Sequence, residues 1–169
     1  ENINKFDLVI VATTSNGRAS LIKKIYFKYL ISYWIIEKII AQSARELNDI
    51  FELIGNSNNA WVNTPRRIMP WYKEIKRTIV KEKKDAIQVK VEGGNWGLAC
   101  NSIHFIDLIS WIKNTEVCKI ESDEIKYWLS SKRDGYIEAI GCLKVFFCDK
   151  SFLELKSLEN DDKIKISVK

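Results

Sequence analysis

Two short polar segments directly follow two strongly apolar ones in this chain of 169 residues. The first follows the β-branched run at 6–12, and the second follows the apolar run at 33–36. Ligands of doubly wound α/β proteins bind beyond the carboxyl ends of parallel strands, so we expect a binding site here, although ordinary strand exits share this composition. The residues concerned are Thr13, Thr14, Asn16, Glu37 and Lys38.

The single histidine, His104, lies in a segment with helical spacing. Asn101 stands three residues before it and Asp107 three residues after it, so a helix would place them on one face. A carboxylate beside an imidazole fixes its tautomer and raises its basicity, as general acid–base catalysis requires. The structural alternative is a histidine that is hydrogen-bonded between helix and sheet.

A third polar group contains the paired arginines Arg66 and Arg67, directly after an apolar run at 60–62. A guanidinium binds phosphate or carboxylate through two parallel hydrogen bonds. The pair therefore indicates either an anion site or a surface salt bridge.

The first part of the chain has the pattern of a doubly wound parallel sheet. The apolar runs at 6–12 and 33–36 predict strands that are buried on both faces, and 60–62 predicts a short third strand. Helical spacing predicts helices over 18–32 and over 43–54, the second with a capping box. The alternation of strands and helices is typical of βαβ units.

The second part has a different pattern. We expect a helix over 71–80 with Pro70 at its first position, an alternating strand over 86–92 and a helix over 101–112. From Val117 onward, about five strands with turn signals at 133–135, 149–150 and 160–162 predict an antiparallel sheet. The predicted domains are 1–80, a partial nucleotide-binding domain, and 81–169, an α+β lobe with a mostly antiparallel open sheet.

The composition argues against a disordered chain, a nucleic-acid-binding protein and a membrane-spanning protein. The hydrophobic fraction of 46% and charged fraction of 29% are those of a folded globular protein. The net charge of +5 is spread along the chain, which argues against a nucleic-acid partner. The longest apolar stretch, 21–40, contains five lysines and glutamates, so no membrane span is expected.

The four cysteines show no metal-binding spacing, and one histidine cannot complete a zinc set, so we expect no metal. Each cysteine lies in or beside an apolar segment. We therefore expect reduced thiols in a cytoplasmic protein.

The order of these motifs resembles one family. The motifs are Asp-Leu-Val-Ile-Val-Ala-Thr, Ile-Ile-Glu-Lys, Val-Asn-x-x-Arg-Arg-x-x-Pro-x-Tyr and Gly-Gly…His-x-x-Asp-Leu-x-x-Trp. They resemble the glucose–fructose oxidoreductase / inositol dehydrogenase / MocA family of nicotinamide-dependent sugar oxidoreductases, from about Phe6 to Leu158. The resemblance implies the C-terminal half of a Rossmann-like sheet followed by the α+β lobe.

The resemblance also implies roles for individual residues. Lys38, in a motif that looks like Glu-Lys-Pro, would lie between nicotinamide and substrate, and His104 would take the hydroxyl proton. Substrate binding would involve Arg67 and Asn101 as well as His104. The cofactor would contact Thr13, Thr14, Asn16, Glu37 and Lys38.

The chain departs from the family pattern at three places. Ile39 replaces the motif's proline, and Cys100 stands where the family often has an aspartate, so Asn101 or Asp107 would orient the imidazole. The dinucleotide fingerprint Gly-x-Gly-x-x-Gly is missing, because Gly17 is the only glycine before Gly55. We therefore expect a fragment or truncated member, whose first residue is Glu1, with weak or no binding of NAD or NADP by this chain alone.

The function implied is NAD(P)-dependent oxidation or reduction at a hydroxyl or keto carbon of a sugar or sugar derivative, by a homo-dimer or tetramer associated through the C-terminal sheet. One alternative is a non-catalytic module that binds or assembles through the substrate lobe. Another is phosphate-ligand binding by Arg66 and Arg67 without redox chemistry.

Overall fold

A computed structural model describes residues 4–56, 58–159 and 163–169, and the chain divides into two compact units, Glu1–Thr64 and Pro65–Lys169. The second unit therefore begins at Pro65, ahead of the helix that the sequence analysis placed in the first domain. The strands are β1 Lys5–Val11, β2 Leu30–Glu37, β3 Ala60–Asn63, β4 Gln88–Gly93, β5 Val117–Glu121, β6 Ile125–Ser130, β7 Ile137–Phe147, β8 Phe152–Ser157 and β9 Lys165–Val168. The helices are α1 Arg18–Lys28, α2 Ala44–Ile50 with a π-helical continuation Phe51–Gly55, a 3₁₀ turn Pro65–Ile68, α3 Pro70–Lys81 and α4 Leu98–Lys113.

The first unit is a parallel sheet, as predicted, and its strand order is β1–β2–β3. The two helices bury one face of this sheet, where Ile22 of α1 and Ile50 of α2 pack with Val11, Trp34 and Ile36. Ser43 caps α2 by accepting a hydrogen bond from the Glu46 backbone N–H at 3.2 Å, which confirms that half of the predicted capping box. The Glu46 carboxylate accepts instead from the backbone N–H of Gln42, at 3.0 Å.

The prediction that the first strand is buried on both faces was wrong. Alternate residues of β1, and their neighbours on the same face of β2 and β3, keep between 46% and 60% of their surface exposed. The described helices of this unit cover only the opposite face, so these apolar side chains have water beside them. They are Phe6, Leu8, Ile10, Tyr33 and Trp61.

The predicted helix over 18–32 was too long. Helix α1 ends at Lys28, and Tyr29 adopts an extended conformation. Leu30 already pairs with Lys5, which starts β2 three residues earlier than the apolar run suggested. The periodic apolar positions could not reveal this, because Leu30 and Ile31 fit a helix and a strand equally well.

The second unit is a six-stranded sheet with the path β5–β7–β8–β4–β9, and β6 pairs with β7. It is mostly antiparallel, but β4 and β8 run parallel. Five strands follow Val117, as expected, while the turn predicted at 160–162 lies outside the described residues. Helix α4 packs Phe105, Leu108 and Ile112 on one face of this sheet, against a core that includes Val91 and Leu155.

The prediction of reduced core thiols was wrong for three of the four cysteines. Cys118 and Cys148 are exposed and joined by a disulfide, because the antiparallel pairing of β5 with β7 brings their Cα atoms to 5.3 Å. Cys142 is a buried thiol, and Cys100 is an exposed thiol. The expectation of a cytoplasmic location rested on reduced thiols and loses that support.

Within the described ranges, no helix has the length and apolar character needed to cross a membrane. The same residues contain no group of three or more histidine, cysteine or acidic side chains placed to hold a metal ion.

Candidate functional site

The predicted site residues fall into two groups, one in each compact unit. In the first unit, Glu37 is the last residue of β2 and pairs with Asn63, the last residue of β3. The Asn63 side-chain amide donates a hydrogen bond to the Glu37 carboxylate. The carboxyl edge of the parallel sheet therefore carries an acid–amide pair that is held by a hydrogen bond.

Lys38 follows Glu37 directly and is half-buried, and the Lys38–Ile39 peptide bond is cis. The backbone on both sides of Lys38 is held by Arg18, whose guanidinium donates to the Glu37 carbonyl and, at 2.6 Å, to the Ile39 carbonyl. The sequence analysis missed Arg18. Its position at the start of a helix gave no signal that its side chain is buried.

Thr13, Thr14 and Asn16 lie in the segment between β1 and α1 and are exposed. The Thr13 carbonyl also accepts a hydrogen bond from Arg18. The segment ends at Gly17, whose φ of 70° is in the left-handed region that favours glycine. These polar side chains therefore stand at the same strand-end edge as Glu37 and Lys38, since β1 and β2 run parallel.

In the second unit, Asn101, His104 and Asp107 lie on helix α4 at spacings of three residues and are all half-buried. The Asn101 side-chain amide donates to the Trp96 carbonyl at 2.8 Å, which anchors the loop before the helix. The imidazole is thus carried by a rigid element, on a side of the helix different from the one that buries Phe105.

Arg67 and Asp107, predicted for different roles, form a bidentate ion pair. The Arg67 Nε donates to Asp107 Oδ2 at 2.7 Å, and its Nη2 donates to Oδ1. The hydrogen bond that Arg67 donates to Asp107 is the main cause that raises the pKa of Arg67 above its ordinary value, against the opposing effect of burial. The charge of Asp107 is therefore compensated by Arg67, and a substrate would meet a neutral pair rather than a bare guanidinium.

Arg66 is also engaged within the second unit. Its guanidinium lies 3.8 Å from the ring centre of Phe105, and its Nη1 is 3.4 Å from the Tyr72 hydroxyl. The two arginines of the 3₁₀ turn therefore fasten that turn to α4, one by a cation–π contact and one by an ion pair. An anion bound by this pair would have to displace Asp107.

Glu138 of β7 is a second residue that the sequence analysis missed. It is 8% exposed, and its Oε2 accepts hydrogen bonds from the backbone N–H groups of Ala99 at 2.9 Å and Cys100 at 3.4 Å. A carboxylate there satisfies donors in the first turn of the helix that carries His104 and complements its dipole. Nothing in the local sequence links Glu138 to residues about forty positions earlier.

A groove of about 790 Å³ lies elsewhere in the second unit. It is lined by β6, β7 and β8, with Lys126, Cys142 and Lys156 among its residues, and none of the predicted site residues borders it. Burial raises the pKa of the Cys142 thiol, so that thiol is protonated at neutral pH.

Neither a protein-family model nor a curated protein matches the sequence. Solved structures do match the fold. Myo-inositol dehydrogenase from Lactobacillus casei, in complex with NAD(H) and myo-inositol, superposes with a TM-score of 0.69 at 15% identity over 96% of this chain and 52% of that chain. A probable dehydrogenase from Thermotoga maritima gives a TM-score of 0.68 at 13% identity over 96% of this chain and 53% of that chain.

The super-repressor mutant of Gal80p from Saccharomyces cerevisiae has a TM-score of 0.71 at 11% identity, over 96% of this chain and 53% of that chain. The chain thus spans about half the length of the solved structures that it matches.

At these identities the similarity establishes the fold alone. A parallel three-stranded sheet followed by a mostly antiparallel second sheet is the architecture expected for the C-terminal half of an inositol-dehydrogenase-like protein. The resemblance to the glucose–fructose oxidoreductase / inositol dehydrogenase / MocA family is therefore confirmed at the level of the fold.

Proposed function

We propose that this chain is part of an NAD(P)-dependent oxidoreductase that acts on a hydroxyl or keto carbon of a sugar or sugar derivative. The observation that carries the proposal is the Glu37–Lys38 turn at the carboxyl edge of the parallel sheet. Its backbone is held by a buried arginine, and its Glu37 side chain is held by Asn63. Packing of the strand does not require these hydrogen bonds. The fold is that of an enzyme solved with NAD(H) and myo-inositol.

The chemistry assigned to the chain itself is polarisation and proton transfer. The Lys38 ammonium orients and polarises the reacting hydroxyl oxygen, and the His104 imidazole accepts the hydroxyl proton as the alcohol is oxidised, or returns it in the reverse direction. Asn101 and the Arg67–Asp107 pair would contact the other hydroxyl groups of the substrate. The nicotinamide, when bound, supplies the hydride chemistry.

The residues present fit only one end of a dinucleotide. Hydroxyl and amide side chains at Thr13, Thr14 and Asn16, with Glu37 and Lys38, suit the nicotinamide riboside end. Backbone amides of a glycine-rich turn, which would hold the pyrophosphate, are not encoded in the 169 residues. The adenine and pyrophosphate end would therefore be held by polypeptide other than this chain.

This assignment predicts weak dinucleotide binding by the chain alone. In calorimetric titrations with NADH and NADPH, we expect a dissociation constant of about 1 mM or weaker, because the nicotinamide end alone supplies few contacts. A micromolar dissociation constant would overturn the prediction, since it would require a pyrophosphate site within these residues.

The catalytic roles predict the behaviour of two variants of the complete protein. Lys38→Ala and His104→Ala should each reduce nicotinamide-dependent oxidation of a polyol such as myo-inositol by about 10²-fold to 10⁴-fold, the usual contribution of a positioned acid or base. Lys24→Ala, which removes an exposed lysine of α1, is the matched control and should keep wild-type turnover. If both Lys38→Ala and His104→Ala keep full turnover, the oxidoreductase assignment is wrong.

A second candidate function is a non-catalytic module for binding or assembly. It is favoured by the occurrence of the same fold in the super-repressor mutant of Gal80p. This module would retain polyol binding without conversion. Saturation-transfer NMR with myo-inositol, combined with the turnover assay, separates the two functions: binding without turnover in the complete protein supports the module.

We further propose that copies of the chain associate as a dimer or tetramer through the open face of the large sheet. The core residues Val91 and Leu155 face α4, and the alternating residues on the other face are mostly charged. Lys90 binds Glu92 at 2.8 Å and Glu154 at 3.4 Å, and further charged residues of this face include Lys144, Lys156, Glu121 and Lys165. We call these alternating positive and negative side chains the charged grid. The charged grid of one copy can pair with that of a second copy related by a twofold axis, because opposite charges then face each other.

A further inference from the structure

Arg18 is among the largest fully buried side chains of the protein, with 2% of its surface exposed. It is the first residue of α1, and its guanidinium donates to three backbone carbonyls. One belongs to Thr13, which follows β1, and two belong to Glu37 and Ile39, at the end of β2. A single cation therefore joins the two polar segments that the sequence analysis identified separately.

The geometry of these bonds restrains Lys38 from both sides. The Glu37 carbonyl is part of the peptide group that precedes Lys38, and the Ile39 carbonyl lies one residue beyond it. A guanidinium presents its donors in one plane with fixed directions, so it sets where these carbonyls lie relative to each other. The bond to the Thr13 carbonyl places the segment that contains Thr14 and Asn16 in the same frame.

The turn before α1 places the Arg18 side chain next to these carbonyls. Gly17 adopts a left-handed conformation with φ of 70°, and the Arg18 backbone N–H donates to the Ser15 carbonyl at 3.2 Å. No other atom lies within 4 Å of where a Cβ of Gly17 would stand, so the glycine is required by the backbone conformation and not by crowding. The chain reverses there and brings the Arg18 side chain beneath both segments.

We propose that Arg18 is a positioning residue that sets the Lys38 turn against the segment 13–16. The proposal rests on the proposed function, in which Lys38 orients the reacting hydroxyl and segment 13–16 borders the cofactor. Arginine is needed because lysine, whose ammonium is a compact point charge, cannot reproduce the planar fork. The alternative is an arginine that only stabilises the core of the first unit.

The first experiment compares Arg18→Lys with Arg45→Lys, the same substitution at an exposed position of α2. Amide hydrogen exchange is measured on the full chain by mass spectrometry. In Arg18→Lys we expect exchange to become at least about tenfold faster in both segments 13–17 and 37–41, with β1 and β2 changed less than about twofold, as expected for local opening. Arg45→Lys should match the wild type.

Three outcomes overturn the proposal. They are unchanged exchange in both segments, faster exchange in one segment only, and a uniform loss of protection across the first unit. The last would show that Arg18 serves stability and does not position the turn.

A second measurement needs no variant and covers the case in which Arg18→Lys does not fold. In the wild-type chain with ¹⁵N-labelled arginine, the Arg18 guanidinium should give separate, slowly exchanging Nη resonances, because its donors are buried and bonded to different carbonyls. A single averaged Nη resonance for Arg18 would overturn the proposal. Arg45, which is exposed, provides the averaged reference in the same spectrum.

The functional consequence is tested in the complete protein. Arg18→Lys should lower kcat for polyol oxidation by about tenfold or more with a smaller change in KM, since it displaces a catalytic group without removing a substrate contact. If Lys38→Ala and His104→Ala both keep full turnover while exchange changes as expected, the proposed function fails and the positioning of the turn stands. If Lys38→Ala is inactive and Arg18→Lys keeps wild-type kcat, the Arg18 proposal fails alone.

Discussion

The ion pair between Arg67 and Asp107 is unequal in its exposure to water. The Arg67 side chain is 43% exposed and the Asp107 side chain only 13%. If one partner is removed, the other keeps its charge and must be solvated where it stands. Loss of the arginine is therefore the more harmful change, because it leaves the more deeply buried group unpaired.

We accordingly predict that Arg67→Ala lowers the free energy of unfolding by about 1–3 kcal/mol. Asp107→Asn should cost less, about 0.5–1.5 kcal/mol, since the amide keeps one hydrogen bond and the guanidinium can reach water. Urea unfolding followed by circular dichroism measures both values.

Arg77→Ala is the matched control for this prediction. Arg77 pairs with Glu74 at 3.0 Å, but both side chains are at least 66% exposed, so the change should stay within about 0.5 kcal/mol. A larger loss for Asp107→Asn than for Arg67→Ala would contradict the proposed asymmetry.

At the residue scale the sequence predicted that three polar side chains share a helix face, but it did not predict what they contact. The spacing of Asn101, His104 and Asp107 places them on one helix face, and α4 confirms that they share it. The partner of Asp107 lies forty residues away, and no local pattern specifies it. Arg18 was missed for the same reason, because its three acceptors are backbone atoms whose positions depend on the strand ends.

Among the elements, β7 depends on one glycine. Gly141 has a φ of 133°, and it pairs with Ile125, the first residue of β6. A Cβ at this position would stand 2.7 Å from the Lys126 backbone nitrogen and 2.8 Å from the Ile125 Cα. The close approach is stabilised by a hydrogen bond of 3.0 Å from the Cys142 backbone N–H to the Glu124 carbonyl.

Gly141→Ala should therefore destabilise the second unit by about 2–4 kcal/mol, from backbone strain and from overpacking against another strand. Gly135→Ala is the control, since Gly135 also has a positive φ of 77° but nothing within 4 Å of its would-be Cβ. It should cost only about 1 kcal/mol, the strain of a left-handed alanine. Equal costs in thermal or urea unfolding would show that crowding at Gly141 is relieved by movement of β6.

The elements that the sequence predicted well are those with a local signal. Pro70 begins α3 at its first position, and the alternation over 86–92 gives β4. The parallel pairing of β4 with β8 was not predicted, because it joins residues more than sixty positions apart. The exposed face of the small sheet was missed because apolar composition reports what a strand could bury and not what covers it.

On the scale of the whole molecule, the open face of the large sheet predicts association that depends on charge. The charged grid contains Lys90, Glu92, Glu154 and Lys156, with Phe146 and Phe152 in ring contact at 5.1 Å along the same face. Sedimentation equilibrium at low salt should detect a dimer or tetramer. Its dissociation constant should rise between 0.05 M and 0.5 M NaCl, because salt screens charge pairs across the contact.

Two matched variants identify the surface involved. Phe152→Ser should weaken association, since Phe152 lies on the open face of the large sheet. Leu8→Ser removes an exposed apolar side chain from the small sheet and should leave association unchanged. The reverse result would place the contact on the exposed face of the small sheet.

The pH dependence of association follows from the same grid. Hydrogen bonds from Lys90 and Lys144 are the main causes that hold the pKa values of Glu92 and Glu124 below the ordinary value for a carboxyl group. Both carboxylates therefore stay ionised as pH falls from 8 to about 5, and association should be constant over that range. A depressed pKa stabilises the paired form above the ordinary carboxyl pKa, and this contribution is lost as pH falls through the lowered value. Dissociation should accordingly begin only below about pH 4, whereas dissociation between pH 7 and 6 would show that these carboxylates do not control the contact.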